Sequence, residues 1–327
     1  MGLLILLWTC HGARAFDQSY LTELVRQNGQ IETMEPFKDS DLMLLVKLRQ
    51  VDSINEYRIK NGVPEVKLDI LASRVANMQA YNAAMNNYHG HRDMNGYKPY
   101  LRYGLNGGKD HVAENAFTSS GSGYAAGNSP CSMTDEDKIL AAMKEGLDGF
   151  MAEGPGGGHH DNIIAKAHNY VGLGFYCVQT PDSEYQIRYY EEFLDRYITF
   201  DEFKQNLKPN ETVNISGKVI PEDTGAYAVT VYYEPFPAEM TPAQINALGS
   251  YEDYTSEIAL QIWPWEMKFD KKERRFSFDF KAAKKGFYYV QVIIKAGINS
   301  IPYKLTGSVS ASTEGLPIAT GLIIQVR

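Results

Sequence analysis

The pattern of apolar residues changes near Thr212, and this change constrains the fold of the 327-residue chain more than any other feature. Beyond Thr212, apolar and aromatic residues alternate with polar ones in six or seven runs, which turn-forming residues separate. A period of two places every second side chain on the same face of a β-strand. Phe276, Phe278 and Phe280 should therefore share one face. So many short strands in about 115 residues predict a β-sandwich.

The residues before this change follow a helical period instead. A helix should begin at Ser40 or Asp41 and run to about Lys60. Thr134 and Asp137 resemble a capping box at the start of another helix. Two strands that should pair come later in the chain: Tyr170–Val178 and Tyr185–Phe193. Helices and strands together predict an α+β first domain.

The N-terminus, Met1–Ala15, resembles a signal peptide, with an apolar run at Leu3–Trp8 and an Ala-x-Ala cleavage pattern. The segment has no basic residue before a short apolar run, so a buried N-terminal helix is the alternative. Export predicts a secreted protein, extracellular or periplasmic. Cleavage would leave Cys131 and Cys177, which could form one disulfide, although the sequence does not decide whether they pair.

Composition excludes several kinds of partner. The net charge of −8, without a dense basic run, argues against nucleic acid or an anionic membrane surface. No apolar stretch approaches the ~20 residues that span a bilayer, so an integral membrane protein is excluded. The chain also lacks a nucleophile elbow, a phosphate-binding loop and an H-E-x-x-H motif. No organic cofactor is therefore predicted.

Histidines are confined to the first 168 residues of the chain, because none follows His168. Any imidazole chemistry therefore belongs to the first domain. Six histidines would remain after cleavage at Ala15: His89, His91, His111, His159, His160 and His168.

Five short motifs of the first half occur in a fixed order. They are Val51–Arg58, His91–Gly96 with Pro99 and Arg102, Ala113–Asn115, Phe150–Glu153, and Gly158–Ile164 followed by Asn169–Gly174. Together they resemble the CAP superfamily of cysteine-rich secretory proteins, antigen 5 and pathogenesis-related 1 proteins, also called SCP-like, in its bacterial form. Asn95 replaces Asp of that pattern, Ala113 replaces Gly, and Phe150 replaces Trp.

The resemblance implies an α-β-α sandwich in which three helices surround a three-stranded antiparallel sheet. It also implies a cavity tetrad of His91, Glu114, Glu153 and His159. His91 and His159 would then ligate a divalent cation such as Zn²⁺, and Glu114 or Glu153 is a candidate base. Asn115 should be structural and hold the loop after Glu114. The four other histidines after Ala15 match no position of the family and should be solvent-facing or satisfied in the core.

The predicted organisation of the whole chain has five parts. They are a signal peptide at 1–15, a lead segment at 16–38, a CAP-type domain at 39–195, a linker at 196–211 and an all-β Ig-like sandwich at 212–327.

Two classes of function follow from the tetrad. The first is a secreted protein that holds an apolar, lipid-like ligand, or a surface or protein partner, in the cavity. The second is a metal-dependent hydrolase, a peptidase, in which a carboxylate activates a metal-bound water. The first is favoured because a catalytic zinc commonly has three protein ligands and only two imidazoles are available. A purely structural tetrad, in which the carboxylates only accept imidazole hydrogen bonds, is a further alternative.

Overall fold

The computed structural model describes residues 18–121, 131, 133–179, 184–248, 257–305 and 311–327, so the predicted signal peptide at 1–15 lies outside the described residues. The elements of the first half are α1 (Gln18–Gln30), α2 (Asp41–Lys60), β1 (Lys67–Leu68), α3 (Ile70–Met85), α4 (Pro99–Leu105), β2 (His111–Gly121), α5 (Glu136–Ala152), α6 (Gly158–Ile163), β3 (Tyr170–Gln179) and β4 (Tyr185–Asp195). Those of the second half are β5 (Ile198–Phe200), β6 (Asn206–Leu207), β7 (Thr212–Val219), β8 (Thr224–Glu234), α7 (Pro242–Asn246), β9 (Ile258–Ile262), β10 (Lys268–Asp270), β11 (Arg275–Lys281), β12 (Gly286–Ala296) and β13 (Leu322–Val326).

A four-stranded sheet in the order β1-β3-β4-β2 forms the centre of the first domain. Strands β2, β3 and β4 are antiparallel, as expected, and the two-residue β1 adds a parallel edge beside β3. Helix α3 covers one face closely, since a Cβ at Gly174 would lie 2.2 Å from the Ala76 carbonyl. Helices α2 and α5 cover the other face with buried side chains such as Ile54 and Leu147. The domain is therefore the α-β-α sandwich that was predicted.

Short polar side chains begin the main helices of this domain, because they satisfy backbone N–H groups that lack a helical partner. Ser40 Oγ accepts a hydrogen bond from the Met43 N–H at 3.2 Å, and Asp69 caps α3 in the same way. The cap of α5 was predicted wrongly. Asp135, rather than Thr134, accepts from the Lys138 N–H, because the helix begins one residue later than the capping box requires.

Two sheets pack face to face in the second domain, in the orders β10-β11-β7-β5 and β6-β13-β12-β8-β9. The side chains of Phe276, Phe278 and Phe280 all point into the core between them, which confirms their shared face. On the facing sheet, Val290 and Val292 meet these rings. The second domain is therefore the β-sandwich that the alternating pattern predicted.

The segment expected as a linker, 196–211, differs from that expectation. Strand β5 pairs with β7, and β6 pairs with β13, so both belong to the sheets of the second domain. Ile198 is buried in the sandwich core. An alternating pattern cannot be recognised in strands of only two or three residues. For this reason the sequence indicated only a linker here.

The two domains share an interface at α4. Tyr100 and Leu101 pack against Phe287, Tyr289 and Ile323 of the second domain. A charged contact lies beside this cluster, because the Lys98 ammonium bonds the Glu234 carboxylate at 2.6 Å. Among the described residues, no helix combines the length and the apolar character that crossing a bilayer requires.

Candidate functional site

His91 stands in the loop after α3, and a buried carboxylate fixes its ring. Its Nδ1 lies 2.9 Å from Glu114 Oε1, on β2. The other oxygen of Glu114 accepts a hydrogen bond from Arg102 on α4, and neither of these two side chains is exposed. Burial disfavours the charge on Arg102, but the carboxylates of Glu114 and Glu192 outweigh it and raise the pKa of the guanidinium. Both oxygens of Glu114 are thus engaged in orienting its neighbours.

His159 is held in a similar way near the start of α6. Its Nδ1 lies 2.5 Å from Glu153 Oε1, and its backbone N–H donates to Glu153 Oε2 at 3.1 Å. Burial raises the pKa of Glu153, but the hydrogen bond and charge of His159 outweigh burial and lower it overall. The side chains of His159 and Glu153 are 33% and 36% exposed, in contrast to the buried Glu114.

The two imidazoles line one cavity, although 68 positions of the chain separate them. Their ring centres lie 6.5 Å apart at an interplanar angle of 30°. Both rings line a cavity of about 420 Å³, here called the imidazole cleft, together with Phe117 and Tyr190. Glu114 is fully buried and stands behind His91. Neither Glu114 nor Glu153 is among the residues that line the cavity, which differs from the expectation. The oxygens of Glu114 are turned to His91 and Arg102, and those of Glu153 to His159.

The donor types of this site suit a divalent cation, but their spacing does not. Histidines that ligate metals usually give their second ring nitrogen to a carboxylate, as His91 and His159 do here. Two imidazoles on one tetrahedral zinc have ring centres about 5 Å apart, because Zn–N bonds are about 2.0–2.1 Å long. The observed 6.5 Å is wider. Over the described ranges, no three His, Cys, Asp or Glu side chains are grouped to hold a metal ion.

Asn115 joins α6 to the sheet. Its Nδ2 donates to the His159 carbonyl at 3.2 Å and to Glu191 Oε2 at 3.1 Å. Its Oδ1 accepts from Asn162 Nδ2 at 2.9 Å. The bond to a backbone carbonyl has the predicted character, but Asn115 lies within β2 and holds α6, not the loop after Glu114. Burial raises the pKa of Glu191 to about 7 against the lowering effect of its hydrogen bonds from Tyr189 and Asn115.

The remaining histidines fall into two groups. His111 and His168 place Nδ1 at 3.1 Å and 2.6 Å from the two oxygens of Asp195. Burial raises the pKa of Asp195, but these two histidines lower it overall to about 2. His160 is buried and contacts Asp161. His89 is different, because it lines the imidazole cleft, and its sequence position gave no signal of this.

Two further features of the site were not predicted. Glu192, opposite Glu114 in the β2–β4 register, is fully buried, and its two oxygens have no hydrogen-bond partner in the part of the chain that the structure describes. Burial and the neighbouring Glu114 carboxylate raise its pKa well above the usual range. The other feature is a contribution from the second domain, since residues 246–248 line the imidazole cleft.

A larger cavity, of about 570 Å³, shares no lining residue with the imidazole cleft. Phe37, Tyr81 and Tyr176 form its aromatic walls. Its polar groups are occupied by one another, because the buried Lys47 bonds Asp39 at 2.7 Å and Asn77 at 3.0 Å, two residues of the cavity wall. Two of the polar groups in the wall of this cavity are therefore already engaged within the protein.

Comparison with known proteins identifies the first domain. The model of the CAP, cysteine-rich secretory protein family matches residues 51–190. Among solved structures, an outer surface protein of Borrelia burgdorferi is 16% identical, with a TM-score of 0.32, over 46% of this chain and 92% of that one. An extracellular protein of Bacillus anthracis that contains an SCP domain is 18% identical, with a TM-score of 0.29. That match covers 43% of this chain and 38% of the other. No curated protein matches the chain. The first domain, by its family match, belongs to the CAP family.

Proposed function

We propose that the CAP domain binds a small amphipathic molecule in the imidazole cleft. One observation carries this proposal: two carboxylate-oriented imidazoles and several apolar side chains line the same cavity. Its volume of about 420 Å³ falls within the range of small-molecule sites, about 300–1,000 Å³. Such sites combine apolar walls with a few fixed polar groups.

The arrangement suits a ligand with an oxygen head and an apolar body. The rings of His91 and His159 are held in one orientation by Glu114 and Glu153, so a ligand oxygen would meet polar groups that need no reordering. Phe117 and Leu248 offer apolar surface to the rest of the ligand. A lipid-like molecule with a short chain meets both requirements. A divalent cation at the two histidines is a separate part of the proposal, since it requires the rings to approach each other.

Export of the protein is part of the same proposal. Cys131 and Cys177 are joined by a disulfide, and disulfides persist mainly in oxidising compartments. The match to a family of secretory proteins supports the same location. The ligand would then be met outside the cell or in the periplasm.

Calorimetric titration with decanoate, a ten-carbon fatty acid, tests ligand binding at about pH 5.5, below the ordinary imidazole pKa of about 6.5. An imidazole whose Nδ1–H is given to a carboxylate can donate from Nε2 to the ligand carboxylate only when the ring is protonated. The wild type should bind it, and His159→Ala should weaken binding about tenfold or more, because a hydrogen bond to a charged group is lost. His160→Gln is the matched control, since His160 also contacts a carboxylate but does not line the cleft. Absence of binding to the wild type, or equal affinities in all three proteins, would refute the proposal.

A further inference from the structure

One segment of the second domain leaves the β-sandwich and lies against the CAP domain. This excursion, residues 235–248 between β8 and β9, includes the five-residue helix α7. The Met240 N–H donates to the Met94 carbonyl at 2.8 Å. Close by, a Cβ at Gly96 would lie 2.6 Å from the Ala238 carbonyl oxygen. The two backbones thus approach as closely as a glycine permits.

A single apolar side chain anchors the excursion. Ile245 of α7 is 1% exposed and packs among Ala76, Ala80, Tyr88 and Tyr190 of the CAP domain. Burial of one such side chain stabilises the contact substantially, because its whole apolar surface leaves water. The position of α7 on the CAP domain is therefore fixed.

Asn246, the last residue of α7, holds the loop that leads to His91. Its Oδ1 accepts a hydrogen bond from the His89 N–H at 2.8 Å, and its Nδ2 donates to the Asn87 carbonyl at 3.3 Å. In this loop Asn87 and Gly90 have positive φ angles of 53° and 105°. Such backbone conformations persist when the surroundings hold them, and Asn246 supplies that restraint from the other domain.

The next residues complete the cleft. Ala247 and Leu248 line the cavity on the side of the second domain, with Phe117 and Tyr190 among the lining residues of the CAP domain. Leu248 is 40% exposed, so its side chain is available to a ligand. A cavity of about 420 Å³ is near the lower end of the range of small-molecule sites, about 300–1,000 Å³, so it suits a compact ligand.

We propose that the ligand site is formed by both domains, with Leu248 setting the ligand length and Asn246 positioning the His91 loop. This inference rests on the proposed ligand binding. The ligand class it names is a compact amphipathic molecule with one oxygen head and an aliphatic body. Leu248 is the large apolar side chain that the excursion contributes to the cleft, so we expect its size to decide how long a chain is accepted.

Chain-length selectivity of the full-length protein tests the role of Leu248. Octanoate, decanoate and tetradecanoate are titrated by calorimetry into the wild type, Leu248→Ala and Leu248→Trp. The smaller side chain should shift the affinity ratio about tenfold towards tetradecanoate, and the larger one should shift it towards octanoate. Glu239→Gln, an exposed change in the same excursion, should keep the wild-type ratio. Because Leu248 is outside the core, both variants should keep the wild-type melting temperature.

A spectroscopic readout tests the role of Asn246. In Asn246→Ala the NMR signals of the His91 ring should shift and broaden, and all three fatty acids should bind more weakly. Asn246→Asp keeps the oxygen that accepts from the His89 N–H. Both the His91 signals and the fatty-acid affinities of this variant should therefore be closer to the wild type than those of Asn246→Ala. Unchanged His91 signals in Asn246→Ala would overturn the positioning role.

The outcomes separate this inference from the proposed function. If the wild type binds none of the three fatty acids, both are refuted. If decanoate binds and His159→Ala abolishes binding, the proposed function stands. A chain-length order that is the same in the wild type and both Leu248 variants would then overturn the two-domain site alone.

Discussion

Arg102 and Glu114 form an ion pair in which neither side chain has any exposure to solvent. Arg102 also donates to the His91 carbonyl at 2.5 Å, while Glu114 bonds the His91 ring. Together they fix both the backbone and the imidazole of His91 from α4 and β2. The pair thus holds His91 in its position at the imidazole cleft.

Removal of the guanidinium should destabilise the protein strongly. Arg102→Met leaves Glu114 buried without its counter-charge, which should lower the free energy of unfolding by about 3–5 kcal/mol. Equilibrium unfolding in guanidinium chloride measures the lost free energy of unfolding. Arg275→Met is the control, because the Arg275–Asp201 pair is 45% and 43% exposed and should contribute about 0–1 kcal/mol. Equal losses in the two variants would show that burial does not decide the contribution.

The sequence predicted the parts of this site that lie within local patterns, and the structure shows why it missed the rest. His91, Glu114, Glu153 and His159 could be located because each falls in a short motif with fixed spacing. Helix starts such as Ser40 followed from capping chemistry, which is also local.

The missed features depend on contacts between distant parts of the chain. His89 and Asn246 meet across 157 positions, and no periodicity relates them. In the sequence, Glu192 is one of two adjacent carboxylates in a predicted strand. Only the β2–β4 register shows that it lies opposite Glu114. The strands β5 and β6 are too short to alternate visibly. Tertiary register and domain docking, rather than propensity, decided each of these features.

Glu191 should make the stability of the protein depend on pH. Burial raises its pKa from the ordinary 4.5 to about 7 in the folded state, so the folded protein keeps a proton that the unfolded chain loses. Its contribution to stability is therefore fully present below about pH 4.5 and is lost as pH rises through about 7, by about 3 kcal/mol in total. Glu191→Gln removes this titration and should flatten the decline, measured by denaturation at intervals from pH 4 to 8. The exposed change Glu239→Gln should leave the profile as in the wild type, and a Glu191→Gln profile parallel to it would contradict the assignment.

The disulfide between Cys131 and Cys177 should contribute measurably to stability. It closes a loop between residues 46 positions apart, and loops of this size restrict the unfolded chain by about 2–4 kcal/mol. The double variant Cys131→Ser, Cys177→Ser should lose about this much free energy of unfolding. Wild-type protein in dithiothreitol should show the same loss, whereas the double variant should not respond to the reductant. A wild type that is equally stable with and without reductant would count against the bond.

If Zn²⁺ draws the two imidazoles together from the 6.5 Å that separates their ring centres, its binding should weaken in acid. Metal ligation requires neutral imidazole, whose ordinary pKa is about 6.5, so affinity should fall at least about tenfold between pH 7.5 and 5.5. Calorimetric titration with Zn²⁺ at the two pH values measures this, and His91→Ala should abolish the pH-dependent part. Equal affinities at both pH values would argue against a site made by two histidines.

The second domain should fold without the CAP domain, provided that it begins early enough. Leu207–Arg327 lacks β5, whose Ile198 is buried in the sandwich core, so this fragment should be less stable than one beginning at Tyr197 by about 2 kcal/mol or more. Both fragments also expose Phe287, Tyr289 and Ile323, which α4 covers in the whole chain. Thermal unfolding followed by circular dichroism should show one cooperative transition for the longer fragment at a higher temperature than for the shorter one. If the longer fragment is instead molten, with no near-ultraviolet signal, the contact with α4 belongs to a core that the two domains share.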